Sequence, residues 1–243
     1  MIIEPTYSNF YSVSATKDLS SLIKGQMEMI LDSSPAISHH FKWIRSEVRF
    51  NPKKSTMKPL AYSEDKLDGR MAQVWLSDET AALPSRYPLD AMRSSQLSLV
   101  NKTGIIISTA YQTTDNPMTE EVEYVEKVLD DLIEDEKVFG LIYKPDNPKE
   151  WDKDEALYQA NPILYAVPDI YEFLDGERTK AMNMPSTKSN FLTKHLNIFV
   201  DGDIEESFVN IDDLRQGKIR EEDFEWYGKD VYLGIDLAET VDN

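Results

Sequence analysis

The sequence predicts an α/β fold, a mostly parallel sheet with flanking helices, on three observations. The chain opens with a strand, a turn and an amphipathic helix over residues 9–31. Two short apolar runs, at 72–76 and 104–107, are separated by a helix-length segment. A strongly patterned helix at 119–136 then leads into a further apolar run, VFGLIY, at 138–143. Continuous apolar runs suit strands buried on both faces of a parallel sheet. Alternation of strand and helix is the mark of that class.

Each element has a local cause. Residues 9–14, NFYSVS, are rich in aromatic and β-branched side chains and read as a strand. Thr16 or Asp18 caps the next helix, whose apolar positions are Leu19, Leu22, Ile23, Met27, Ile30 and Leu31. Asp-Ser-Ser-Pro at 32–35 stops it. Residues 47–50 and 57–62 read as short strands about the Asn51-Pro52 turn, with Pro59 marking an edge position. Leu67, Asp68 and Gly69 turn the chain into the run at 72–76, and residues 84–87 form a loop before a helix at 89–97. Two apolar strands joined through such a helix fit a right-handed βαβ crossover, which brings both carboxyl ends to one edge of the sheet. The helix at 119–136 takes Thr119 as its cap and Glu120, Glu121 and Glu123 in its first turn, where the helix dipole favours acids. After Pro145 the pattern changes. Residues 146–154 form a polar loop, and 155–191 reads as helix punctuated by Pro162, Pro168 and Pro185, the last two suited to a first helical position. A strand signal returns at 196–200 and again at 231–236.

Composition bounds the function. The chain has 243 residues, 41% hydrophobic and 29% charged, the balance of an ordinary globular protein. No apolar run reaches the length of a membrane span, and the first residues, MIIEPTYSNF, do not form a signal peptide. With no cysteine, disulfides and thiolate metal sites are excluded. His39 and His40 are adjacent and His195 is distant, which argues against a His-based zinc site. A net charge of −18 argues against a simple nucleic-acid binder. The acids cluster at 119–137 and 201–230, most simply as solvated faces. One basic strip stands apart, with Arg45, Arg49, Lys53, Lys54 and Lys58, and reads as a charged hairpin.

The stretch MAQVWLSDET at 71–80 carries the chemistry. An apolar strand ending on Asp78 and Glu79 puts two acids where α/β sheets place their reactive groups, beyond the carboxyl ends of the strands. There the first acid suits Mg²⁺, directly or through water, and the second suits polarisation of an attacking water. The βαβ crossover makes Ser108, Thr109 and Ala110 their neighbours. Solvated turns give the same local pattern, so the combination is what matters.

Read together, SVSATKDLSSLIKGQMEMILDSSPAI, LDGRMAQVWLSDE, GIIISTAY, YQANPIL, LNIF and VYLGIDLAETVD resemble the large terminase subunit of tailed bacteriophages. The resemblance implies an ASCE-type P-loop ATPase core at 1–145, a helical linker or lid at 146–225, and the first strand of a ribonuclease-H-like nuclease domain at 226–243. It makes LSDE the Walker B end, with Asp78 toward Mg²⁺ and ATP and Glu79 as the catalytic acid. Ser108, Thr109 and Ala110 become the coupling motif between hydrolysis and movement. Asp236 becomes a nuclease ligand for a divalent metal, with Asp242 close behind it. The implied partners are double-stranded DNA, the small terminase subunit and the portal protein, in an oligomeric ring within the host bacterial cytoplasm.

Two departures from the family shape the expectation. A Gly-rich phosphate-binding loop ending in Lys-Ser or Lys-Thr is absent, and the remaining nuclease carboxylates are missing. A two-metal nuclease needs several carboxylates holding ions about 3.5–4 Å apart. The expectation is therefore a terminase fragment truncated at both ends and inactive alone, whose intact parent would package and cut DNA. The competing expectation is a non-catalytic acidic α/β interaction module. The two differ on whether Asp78, Glu79 and Ser108 converge on one sheet edge.

Overall fold

A computed structural model describes residues 1–62, 67–113 and 115–200. The chain runs through β1 (Asn9–Ser14), α1 (Lys17–Asp32), α2 (Pro35–Ser38), β2 (Phe41–Ile44), β3 (Glu47–Phe50), β4 (Ser55–Ala61), β5 (Ala72–Asp78), α3 (Tyr87–Ser94), β6 (Thr103–Ile107) and α4 (Pro117–Leu129). It then forms α5 (Asp154–Ala160), α6 (Ile170–Asn183) and α7 (Pro185–Leu196). The sheet order is β2-β3-β4-β1-β5-β6. β4, β1, β5 and β6 are mutually parallel, while β2 and β3 add an antiparallel hairpin at one side. This mixed α/β architecture with a mostly parallel sheet agrees with the class the sequence predicts.

Strand alternation divides the core between two faces of the sheet. Phe10, Val48 and Met57 lie on one face, packed with Ile23 and Met27 of α1. Tyr11, Val13, Ala72 and Trp75 lie on the other with Leu89, Ala91 and Met92 of α3. Thr16 caps α1, its hydroxyl accepting from the Leu19 N–H. The buried side of α1 runs through Ser20, Ile23, Met27 and Leu31, while Leu22 and Ile30 of the expected stripe face solvent. Ser20 takes the seat nearest β1 because the Ser12 hydroxyl there donates to its carbonyl at 2.8 Å.

Several boundaries differ from the sequence expectation. Strand β2 was not legible, because Phe41, Lys42, Trp43 and Ile44 follow a proline-opened helical turn without a break signal. Pro59 sits on β4, which is interior to the sheet, but the ladder to β3 ends at Met57 and only β1 flanks Pro59. A proline is tolerated where one side of a strand is unpaired. Helix α4 is capped by Asn116, whose side chain accepts from the Met118 N–H at 3.0 Å, with Pro117 at the first helical position. It stops early because Asp131 adopts φ +56°. The Leu132 N–H then reaches the Lys127 carbonyl at 2.9 Å and the Asp131 N–H reaches that of Val128 at 3.2 Å. This paired bond pattern ends a helix through a left-handed residue, usually Gly or Asn.

The run at 138–143 joins no sheet ladder among the described residues; it lies along α4, with Gly140 set against Val125. Strand β6 is consequently not buried on both faces. Ile105 and Ile107 are 40% and 51% exposed. The strand expected at 196–200 does not form: Leu196 ends α7 and residues 197–200 join no ladder among the described residues. Asn197 turns the chain at φ +53°, and the Ile198 N–H donates back to the Leu192 carbonyl at 2.9 Å. Those apolar residues serve a separate core among α5, α6 and α7, which includes Leu157, Leu174, Phe191, Leu196 and Val200. Pro185 opens α7 as expected, whereas Pro168 precedes α6 by a turn. No described helix is long and apolar enough to cross a membrane.

Candidate functional site

The site is built where β5 and β6 end. The parallel register places Ser77 opposite Ile106 and Asp78 opposite Ile107, so Ser108 is the first residue beyond the partner strand. Trp75 lies on β5, buried to 2% exposure, and anchors the strand in the core. β1 ends at the same edge, its register running Val13 opposite Ser77. The strand ends thus converge, and Asp78, Glu79 and Ser108 share one edge of the sheet.

Hydrogen bonds fix this edge. Glu79 adopts φ +52°, ψ +48°, an uncommon left-handed conformation for a residue with a Cβ. The turn is held because the Asp78 carboxylate accepts the Glu79 N–H at 3.1 Å and the Glu79 carbonyl accepts the Ala82 N–H at 2.9 Å. Thr80 is fully buried and shares a 2.7 Å hydrogen bond with the Ser77 hydroxyl. The Ser108 hydroxyl accepts the Ala81 N–H at 3.0 Å and donates to the Thr109 carbonyl at 2.9 Å. One serine therefore ties the turn after β5 to the segment after β6. Backbone strain of about 1–3 kcal/mol persists only where the surroundings over-determine it, and it clusters at functional sites.

The residues fit a magnesium ion in a limited sense. One oxygen of Asp78 is used by the backbone, and the other has no protein partner among the described residues. No group of three or more His, Cys, Asp or Glu suited to a metal occurs among the described residues. Mg²⁺ needs no such cage, since one or two carboxylates suffice when substrate phosphates and water complete its shell.

Thr109 reaches the helical block. Ala110 is buried, and the Thr109 hydroxyl accepts from Lys194 Nζ of α7 at 3.2 Å. The same ammonium lies 4.7 Å from the Tyr111 ring centroid. A small hollow here is lined by Ser108, Thr109, Leu141, Tyr143 and Asn197, and Asn197 donates to the Tyr143 carbonyl at 2.9 Å.

Arg86 and Arg93, near the acid pair in sequence, are committed elsewhere. Arg86 donates to Glu120 and Glu121 at 2.7 and 2.6 Å, and Arg93 grips both oxygens of Glu121 at 2.9 and 2.7 Å. They clamp α3 to α4. Burial pushes the Glu121 carboxyl up, but the hydrogen bonds from Arg93 and the two guanidinium charges outweigh it and hold it below the usual range. The bond to Glu121 correspondingly raises Arg93, which also lies 6.0 Å from the Trp75 ring.

Sequence reasoning missed Thr80, Glu121 and Lys194. Thr80 adjoined the acid pair and offered a signal; the other two did not, because their partners are distant in sequence. Asp236 and Asp242 lie outside the described residues.

A mostly parallel sheet with an acid pair at its carboxyl edge, beside the hydroxyls of the next strand, places the chain among α/β proteins of ATPase architecture. Comparison with known proteins makes this specific. The family model described as terminase large subunit, ATPase domain, matches residues 4–127, more than half of the chain. That of the terminase large subunit endonuclease domain matches residues 132–243. The chain belongs to the terminase large subunit family. It is 28% identical over 139 residues to protein YmfN of Escherichia coli (strain K12), covering 56% of this chain and 30% of that protein. Its fold is similar to the HK97 bacteriophage large terminase, with TM-score 0.66 and 17% identity over 81% of this chain and 40% of that one. It is also similar to the ATPase domain of the Thermus phage P74-26 large terminase, with TM-score 0.50 and 13% identity over 79% of this chain and 78% of that one. The chain thus spans less than half the length of YmfN and of the HK97 protein.

Proposed function

We propose that this chain carries the magnesium-holding and water-activating side of a DNA-packaging ATPase. Asp78 holds Mg²⁺ of an ATP complex, Glu79 orients and polarises the attacking water, and Ser108, Thr109 and Ala110 couple nucleotide state to movement. The observation that carries this reading is the register of Asp78 opposite Ile107, with Ser108 holding the Ala81 N–H. An interaction module has no need to bring those groups together. Bound Mg²⁺ would neutralise phosphate charge; the chain's own residues fix the strand ends and present the carboxylates.

In this reading residues 146–225 serve as the linker or lid, and Asp236 and Asp242, within 226–243, are metal ligands of a divalent-metal nuclease. The whole assembly translocates double-stranded DNA with the portal protein and small terminase subunit, in the bacterial cytoplasm, and cuts it. The 243 residues contain no Gly-rich loop ending in Lys-Ser or Lys-Thr. Backbone N–H groups and a lysine of such a loop grip the phosphates. We therefore expect weak ATP binding and negligible turnover by this chain.

The test is paramagnetic. Mn²⁺·ATP added to isotopically labelled protein should broaden amide resonances around 77–81 and 108–111, and Asp78→Asn should abolish the effect. Broadening centred elsewhere would overturn the assignment. Phosphate release that disappears in Glu79→Gln would instead overturn the expected inactivity while supporting the role of Glu79.

A further inference from the structure

The basic strip is the feature that the proposed ATPase does not use. Six of the chain's 26 basic residues and only one of its 44 acidic ones fall within residues 41–58, a local charge of +5 in a protein of net −18. Their placement follows from the sheet. Lys42 on β2 is directly opposite Arg49 on β3, and Arg45 lies in the two-residue turn joining the strands. From α1, Lys24 Nζ donates to the carbonyls of Ile44 and Arg45 at 2.8 and 3.2 Å, bringing another cation to the hairpin end.

The single acid in the strip organises the cations without cancelling them. Glu47, its side chain 6% exposed, pairs with Lys58 Nζ at 3.0 Å and with Nε of Arg49. Burial raises its carboxyl, but hydrogen bonds from Lys58 and Arg49 bring it below the ordinary range. Because Arg49 is held by Nε, its two terminal nitrogens, the end that forks onto phosphate, have no protein partner among the described residues. Lys42 and Arg45 have no ion-pair partner among the described residues either. Like charges directly opposite on paired strands are destabilising, and here Lys42 and Arg49 are so placed at the outer side of the sheet. An external anion relieves that repulsion.

We propose that the β2–β3 hairpin is a contact surface for the phosphate backbone of duplex DNA, with Lys42, Arg45 and Arg49 as the contacting groups. The inference deepens the packaging reading, on which the choice of DNA rests, by naming the surface of the acidic chain that meets it. From Lys42 to Arg45, the first residue past β2, are three residue steps, at most about 10 Å at about 3.3 Å per step. That is close to three axial phosphate-to-phosphate steps along one strand at about 3.4 Å each. The remainder of the chain repels DNA, so the approach is confined to this face. Contacts of this kind carry no base information and let the duplex slide.

The test is fluorescence anisotropy of a labelled 30-base-pair duplex titrated with this chain at several salt concentrations, without nucleotide. Wild-type protein should bind at low salt, with log K falling against log salt at a slope of about −3 for three phosphates. Lys42→Gln/Arg45→Gln should weaken binding at least tenfold and reduce the slope by about two, at one per lost phosphate contact. Lys149→Gln/Lys153→Gln, on the polar loop before α5, should leave both unchanged. Melting of each variant no lower than that of wild type shows that the fold is intact. Wild-type affinity and slope in the hairpin variant, absence of wild-type binding at low salt, or equal loss in the loop variant would each overturn the proposal. Because no nucleotide is present, failure here leaves the Mn²⁺·ATP result to decide the ATPase reading by itself.

Discussion

Replacing Gly104 by Ala tests how β6 is held against β5. In the parallel register Gly104 lies opposite Trp75, and a Cβ there would sit 2.4 Å from Cζ2 and 2.6 Å from Cε2 of the indole. The ring is rigid, 2% exposed, and packed with Leu89, Ala91 and Met92. It cannot swing aside as the end of a lysine would. Overpacking of this kind costs about 1–3 kcal/mol. For a chain of this size each kcal/mol lowers Tm by about 2–4 °C, so the variant should melt roughly 2–12 °C below wild type. Calorimetry and urea unfolding should agree. Gly25→Ala, in α1 with nothing within 4 Å of the added methyl, should instead stabilise by up to about 1 kcal/mol. In the background of Trp75→Phe, which removes the clashing atoms, the Gly104→Ala penalty should shrink by at least about 0.5 kcal/mol. A Gly104→Ala protein that melts with wild type, with no coupling to residue 75, would refute this packing.

Ser108→Ala should loosen the turn after β5 by removing the acceptor of the Ala81 N–H, for about 1 kcal/mol of stability and faster amide exchange at Ala81. Glu121→Gln should cost about 1.5–3 kcal/mol, toward the low end because both arginines are partly exposed, and urea midpoints would measure it. Glu47 and Glu121 are both held below their ordinary range, so their stabilisation is present above the unfolded pKa of about 4.3 and is lost as pH falls through the folded values. Unfolding scans between pH 6 and 3 should show this loss, smaller in Glu121→Gln. His195, packed against Phe173 and Phe191, is lowered by burial, with Glu177 opposing. Its stabilising share is thus full above about pH 6.5 and declines below it, a slope that His195→Gln should flatten.

How far the sequence was legible depended on whether a residue's partners were near in the chain. Thr16 as a cap, the apolar run of β5 and the acid pair at its end are local facts, and the structure places them as read. The helix boundary at Asp131 was not legible, because an aspartate taking the glycine-like conformation leaves the apolar periodicity running on through Leu132 and Ile133. The run at 138–143 has strand-like composition, yet the segment packs on α4 through Val125, a choice composition cannot express. The arginines at 86 and 93 lie near the acid pair in sequence, but Glu121, on another helix, holds them, a pairing that no local pattern expresses.

By itself the sequence determined that this is an α/β chain with one apolar strand that runs out on Asp78 and Glu79, because apolar runs and strand polarity are written in consecutive residues. Tertiary structure alone decided that Asp78 faces Ile107 and that Ser108 seats Ala81. It alone brought Lys194 to Thr109 and put Lys42 beside Arg49. Most of those pairings join residues far apart in the chain, and strand register and helix docking, rather than local pattern, set which of them meet.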